Sequence, residues 1–149
     1  MLVSDKLVQD MQNALRAGDK LRLGVIRLLR AQLKNATIQR GRELTEDEVL
    51  SVLSSAVKMR KEAIEKYRDG HRQDLVEKEQ AELDIIRDYL PEPLSGEEVA
   101  HIIDKAVLEL GATGLGDLGI VMKQIMPQVR GRVEGGVVNK LVREKLQDL

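Results

Sequence analysis

Apolar residues recur along this chain at three- and four-residue intervals almost from end to end, the spacing of amphipathic helices, and no stretch sustains the two-residue alternation of a strand. A first helix is expected from a cap at Ser4 to about Ala17, after which Gly18 and Asp19 turn the chain into a second. In the second, Leu21, Val25, Leu28, Leu29 and Ala36 share one stripe, while Lys20, Arg27, Arg30 and Lys34 fall on the opposite face. LTEDEV opens a third: Thr45 is its N-cap, Glu48 completes a capping box, and the acids suit the positive end of the helix. It is expected to reach about Asp69 and stop at Gly70, with a fourth helix from about Arg72 to Tyr89. The prolines of YLPEPLS forbid continuation and mark a domain boundary. Ser95 and Glu98 repeat the capping box and start a fifth helix that ends at Gly111. Beyond the loop GATGLGDLG, with Asp117 as its expected cap, Leu118, Val121, Met122, Ile125 and Met126 line a short helix that Pro127 helps to terminate. Gly131, Gly135 and Gly136 then permit a tight turn, and Val138, Leu141, Val142 and Leu146 form the apolar face of the last helix, with Leu141 at its centre. The expected fold is all-α, with a four-helix domain over residues 1–92 and a three-helix domain over residues 95–149.

Composition adds mainly exclusions. Hydrophobic residues make up 42% of the 149 and aromatics 1%, so aliphatic side chains must fill the cores. Without cysteine there are no disulfides, thiolate metal sites or cysteine nucleophile. His71 and His101 stand 30 residues apart and form no metal-binding spacing. Gly114-x-Gly116-x-x-Gly119 matches a dinucleotide-binding fingerprint in form, but it follows a helix where that motif needs a strand, so it reads as a cap and linker. Close carboxylate pairs in the middle of the chain are what eighteen acids at helical spacing produce by chance. No catalytic residue, metal or cofactor is therefore expected. MLVSDKLVQD has no extended apolar run, and nowhere do about 18 apolar residues follow one another. A cytoplasmic protein without a membrane partner is expected.

Charge is unevenly spread under a net value of -1. Residues 1–42 hold nine Lys or Arg against three acids, residues 43–110 nine against eighteen, and residues 111–149 six against four. Basic ends flanking an acidic middle suit an anionic partner. Around the last glycine-rich turn, Lys123, Arg130, Arg132, Lys140 and Arg143 gather with a single acid, Glu134, where amides at a helix start would favour phosphate.

Two long stretches carry a family likeness. GIVMKQIMPQVRGRVEGGVVNKLV resembles the signature of the GatB/YqeY family, and MRKEAIEKYRDGHRQDLVEKEQAELDIIRDYLPEPLSGEE resembles the YqeY N-terminal pattern, in the same order and separation. The last 50 or so residues are similar to the tail domain of the B subunit of the glutamyl-tRNA(Gln) and aspartyl-tRNA(Asn) amidotransferases, which contacts transfer RNA. The chain departs from the family pattern at Glu134, where Asp is favoured, at Ile120, where a basic residue is common, and at His71, where Gly is usual. The resemblance implies a tRNA-binding accessory protein, with Lys123, Arg130, Gly131, Arg132, Gly135, Asn139, Lys140 and Arg143 facing RNA and Lys20, Arg27, Arg30 and Lys34 as a second basic stripe. It also implies a family-level association with carbon-nitrogen ligase chemistry that uses glutamine as amide donor, without the kinase and glutaminase sites the reaction needs. An amidotransferase or an aminoacyl-tRNA synthetase is the implied protein partner. The alternative is a helical protein-interaction module that binds no RNA.

Overall fold

A computed structural model describes all residues 1–149 as seven α-helices and one short 3-10 turn, with no strand, and the all-α expectation holds. The chain forms two compact units, Met1–Pro91 and Glu92–Leu149.

The N-terminal unit contains α1 (Val3–Ala17), α2 (Lys20–Arg40), α3 (Glu46–Asp69) and α4 (Gln73–Arg87). Ser4 does not cap α1 but lies inside its first turn; the part-buried amide of Val3 is satisfied from elsewhere, by the Glu46 carboxylate at 3.0 Å. Gly18 closes α1 with φ 70, a left-handed turn that suits glycine, and Asp19 caps α2 by accepting from the Arg22 amide at 3.1 Å. The face that α2 buries differs from the expected stripe. Val25, Ile26, Leu29 and Leu33 enter the core, while Leu21 and Leu28 are 42% and 45% exposed. Both bonds of the Thr45–Glu48 capping box form, at 3.2 and 2.9 Å. Arg42, the Thr45 amide and Arg40 together hold the Glu48 carboxyl down to about 2.

Between α3 and α4 the chain turns through His71 at φ 58, the single non-glycine residue in the left-handed region and the position where the resembled family carries Gly. The final helix of the unit stops at Arg87, two residues short of the expected Tyr89, because the chain tightens into successive turns before Pro91. Tyr89 is buried, donates its hydroxyl to Asp10 and lies under the Lys6 ammonium, 5.3 Å from the ring centre. Burial first, then Asp10, pushes its phenol well above the usual range. Arg60 is 8% exposed, with Nε 3.5 Å from Glu82 Oε2 and Nη1 3.4 Å from the Ala56 carbonyl. Burial and then the neighbouring Glu82 raise Glu79, against the pull of Arg60.

The C-terminal unit contains α5 (Gly96–Leu110), the 3-10 turn at Leu115–Asp117, α6 (Leu118–Val129) and α7 (Gly135–Gln147). Both bonds of the Ser95–Glu98 capping box form. Asp117 does not cap α6 with its side chain, which instead accepts from the Thr113 amide at 2.8 Å and closes the preceding loop. Pro127 does not end α6 either; it sits within the last turn, which continues to Val129 because that residue belongs to the core. The core joins Val99, Ile103, Ala106 and Val107 of α5 to Val121, Ile125 and Val129 of α6 and Val138, Val142 and Leu146 of α7. Leu141 lies at the edge of this face, partly buried, and not at its centre.

Candidate nucleic-acid interface

The helices α6 and α7 are joined by a turn whose shape follows from its residues. The amides of Arg132 and Val133 fold back to the Val129 carbonyl at 2.9 and 3.1 Å, and Gly131 adopts φ 77, which a side chain at this position would strain. Gly135 and Gly136 take a different part from the one expected. They are the first two residues of α7, not the turn itself. Glu134 precedes them with extended backbone and supplies no side-chain cap, and the first helical bond runs from the Val138 amide to the Glu134 carbonyl at 3.1 Å. The amides of residues 135–137 therefore lack helical acceptors, and a Cβ built on either glycine would meet nothing within 4 Å. This is an open, electropositive amino end.

The basic residues around it are used unequally. Lys123 on α6 and Lys140 on α7 are exposed and enter no ion pair. Asn139 and Arg143 are brought together one turn apart, with Arg143 Nε donating to Asn139 Oδ1 at 2.8 Å, which presents the guanidinium pre-oriented on an exposed surface. Arg130 and Gly131 occupy the turn, half-buried.

Arg132, partly exposed, holds the start of the unit. Its Nε donates to the Glu92 carbonyl at 2.9 Å and its own carbonyl accepts from the Leu94 amide at 3.1 Å. With Leu94, Glu97, Glu98, His101 and Ile102 it lines a recess of 410 Å³. The Glu98 carboxyl is held below its ordinary range by the Ser95 amide and hydroxyl, with Arg132 adding to the effect. This fastening is invisible in the sequence pattern because the residues it joins lie 40 apart. The open start of α7, by contrast, has a signal in Glu134, a poor N-cap residue.

The second stripe, Lys20, Arg27, Arg30 and Lys34, belongs to α2 and is exposed throughout. None of the four pairs with an acid; Arg30 Nη1 rests on Met11 Sδ at 3.2 Å.

Comparison with known proteins finds relatives along most of the chain. The chain is 35% identical over 146 residues to altered inheritance of mitochondria protein 41, mitochondrial, of Pyrenophora tritici-repentis, covering 96% of this chain and 80% of that protein. The same-named protein of Saccharomyces cerevisiae is 30% identical over 80% of this chain and 66% of its own length. That of Lachancea thermotolerans is 37% identical over 70% of this chain and 57% of its own. These names overturn the cytoplasmic expectation: the relatives are mitochondrial proteins, and the lack of long apolar runs on which that expectation rested does not separate cytoplasm from mitochondria. A family model described as Yqey-like protein matches residues 4–146, and the chain belongs to that family.

Proposed function

We propose that the protein is a tRNA-binding accessory factor whose C-terminal unit grips the sugar-phosphate backbone with the open start of α7 and the side chains of Lys123, Arg130, Lys140 and Arg143. The observation that carries this reading is the uncapped pair Gly135–Gly136 at the start of α7, where the first helical amides lack side-chain acceptors and a Cβ would meet nothing within 4 Å. Helix amides and the helix dipole favour an anion there, and the glycines let a phosphate approach the backbone. Such contacts read backbone and shape, so discrimination among tRNAs is expected to be weak. Catalysis is not assigned to the chain; its place is beside an amidotransferase or an aminoacyl-tRNA synthetase that handles the same RNA. Arg132 is left out of the interface because it is fastened to Glu92.

The test is filter binding of tRNA across a salt series. Replacing Lys123 and Lys140 with Glu should weaken binding and lower the log-log salt slope by about 0.7–0.9 for each phosphate no longer neutralised. Stability should move by less than about 0.5 kcal/mol, as both side chains are exposed. Unaltered affinity and slope in this variant would refute the interface, and a wild-type chain that retains no tRNA at low salt would refute the function.

A further inference from the structure

The outer face of α2 carries an ordered pattern that neither the core nor the RNA reading uses. Leu21, Gly24, Leu28, Ala31, Asn35 and Ile38 follow one another at intervals of three and four, the spacing of a coiled-coil seam, and all six are exposed. Leu21, Leu28 and Ile38 expose 42%, 45% and 67% of their surface. One flank of the seam, the residues immediately before Leu21, Leu28 and Asn35, is Lys20, Arg27 and Lys34. The opposite flank turns into the core at Val25.

Two observations indicate that this face is built for contact. The 21-residue helix has six cations and no acid; Arg22 and Arg40 find carboxylates within their own unit, at Asp19, Asp88 and Glu48, whereas Lys20, Arg27 and Lys34 find none. Gly24, moreover, lies in the helix interior, where glycine is disfavoured, yet no left-handed backbone calls for it and a Cβ there would meet nothing within 4 Å of the same chain. Small residues at Gly24, between Leu21 and Leu28, and at Ala31, between Leu28 and Asn35, leave room for a second helix to approach.

We infer that the outer seam of α2 docks an amphipathic helix of another protein, one with an apolar stripe flanked by Asp or Glu. The partner's apolar residues would cover Leu21, Leu28 and Ile38, and its acids would meet Lys20, Arg27 and Lys34. Charge argues against a second copy of α2 lying antiparallel on the first, since that would set these cations against their own equivalents. Nucleic acid would use the cations and leave three large apolar side chains uncovered.

The experiment uses the full chain and a labelled synthetic helix of four heptads, with Leu at the seam and Glu on both flanks, followed by fluorescence anisotropy. Wild type should bind it. Leu21→Lys combined with Leu28→Lys should weaken binding at least tenfold, because it removes apolar contact while adding positive charge; both sites are exposed, so folding is retained and checked by circular dichroism. Reversal of Lys20, Arg27 and Lys34 to Glu should abolish binding of the Glu-flanked helix and create binding of a Lys-flanked one. Equal binding by wild type and the double-lysine variant would overturn the inference. So would a homodimer, seen by light scattering, that the double-lysine variant dissolves. The third overturning result is a chain that ignores the peptide but binds tRNA or phosphatidylserine vesicles more tightly after the double-lysine change, as a purely electrostatic surface would.

Discussion

The two units place their polar groups in opposite ways. The N-terminal unit takes them inside: Arg60 is buried against Glu82, Tyr89 reaches Asp10 across 79 residues, and the start of α1 is tied to Glu46. The C-terminal unit keeps an interior of Val, Ile, Ala and one Leu, and its polar ties, the Ser95 capping box, Arg132 to Glu92 and Arg143 to Asn139, lie at the surface. Desolvating a charge requires many surrounding contacts to offset it, and a small unit has few. The smaller unit should therefore be sensitive to the removal of methyl groups and the larger one to unmatched charge.

Ile125→Ala gives the largest expected effect. It is fully buried, its truncation should cost about 3–4 kcal/mol, and in so small a unit that change should abolish the C-terminal transition in a melt followed by circular dichroism while the N-terminal transition persists. Leu141→Ala, at the edge of the same core, should cost only about 1 kcal/mol. Next comes Glu82→Ala, which strands Arg60 and should cost about 2–3 kcal/mol in urea unfolding, while Arg60→Met with Glu82→Leu should return to within about 1 kcal/mol of wild type. Full stability in Glu82→Ala would erase the contrast between the units.

Thr45→Ala and Ser95→Ala should each cost about 1 kcal/mol, since the same cap is built in both units. Acidity should then separate them. Glu98 and Glu48 are held low, so their contribution is present above about 4.5 and fades as pH falls, for Glu48 towards about 2. Glu79 is raised, so its contribution is full below the ordinary carboxyl range and is lost as pH rises through its elevated value. Mild acid should thus raise the N-terminal melting temperature, and Glu79→Gln should flatten that rise; a flat profile in the wild type would refute the account of the raised Glu79 carboxyl. The smallest effects are gains. His71→Gly should stabilise the N-terminal unit by about 1 kcal/mol by relieving its left-handed backbone. Gly135→Ala should stabilise the C-terminal unit by about 0.5 kcal/mol, with tRNA affinity falling as the open end of α7 is covered.

Much of this is legible in the sequence wherever the cause is local. Thr45 with Glu48 and Ser95 with Glu98 start helices where short-range chemistry places them. The face of α2 escapes such a reading for a physical reason: the helix carries two apolar seams, and periodicity cannot tell which one meets the core. Ile26 and Leu33 turn inward, Leu21 and Leu28 outward. Arg60 is legible in principle, because it falls in phase with Leu53, Val57 and Ile64, all core residues. The fastening of Arg132 is not, since nothing near it in the sequence announces Glu92.

The confinement of both tyrosines to the N-terminal unit has an optical consequence. In a chain without Trp or Phe, Tyr67 and Tyr89 supply all of the near-ultraviolet emission. Tyr89, sealed in the core beside the Asp10 carboxylate, should brighten or shift when that unit opens. Tyrosine light is therefore a private reporter of one half of the protein, and the half proposed to hold RNA melts in the dark.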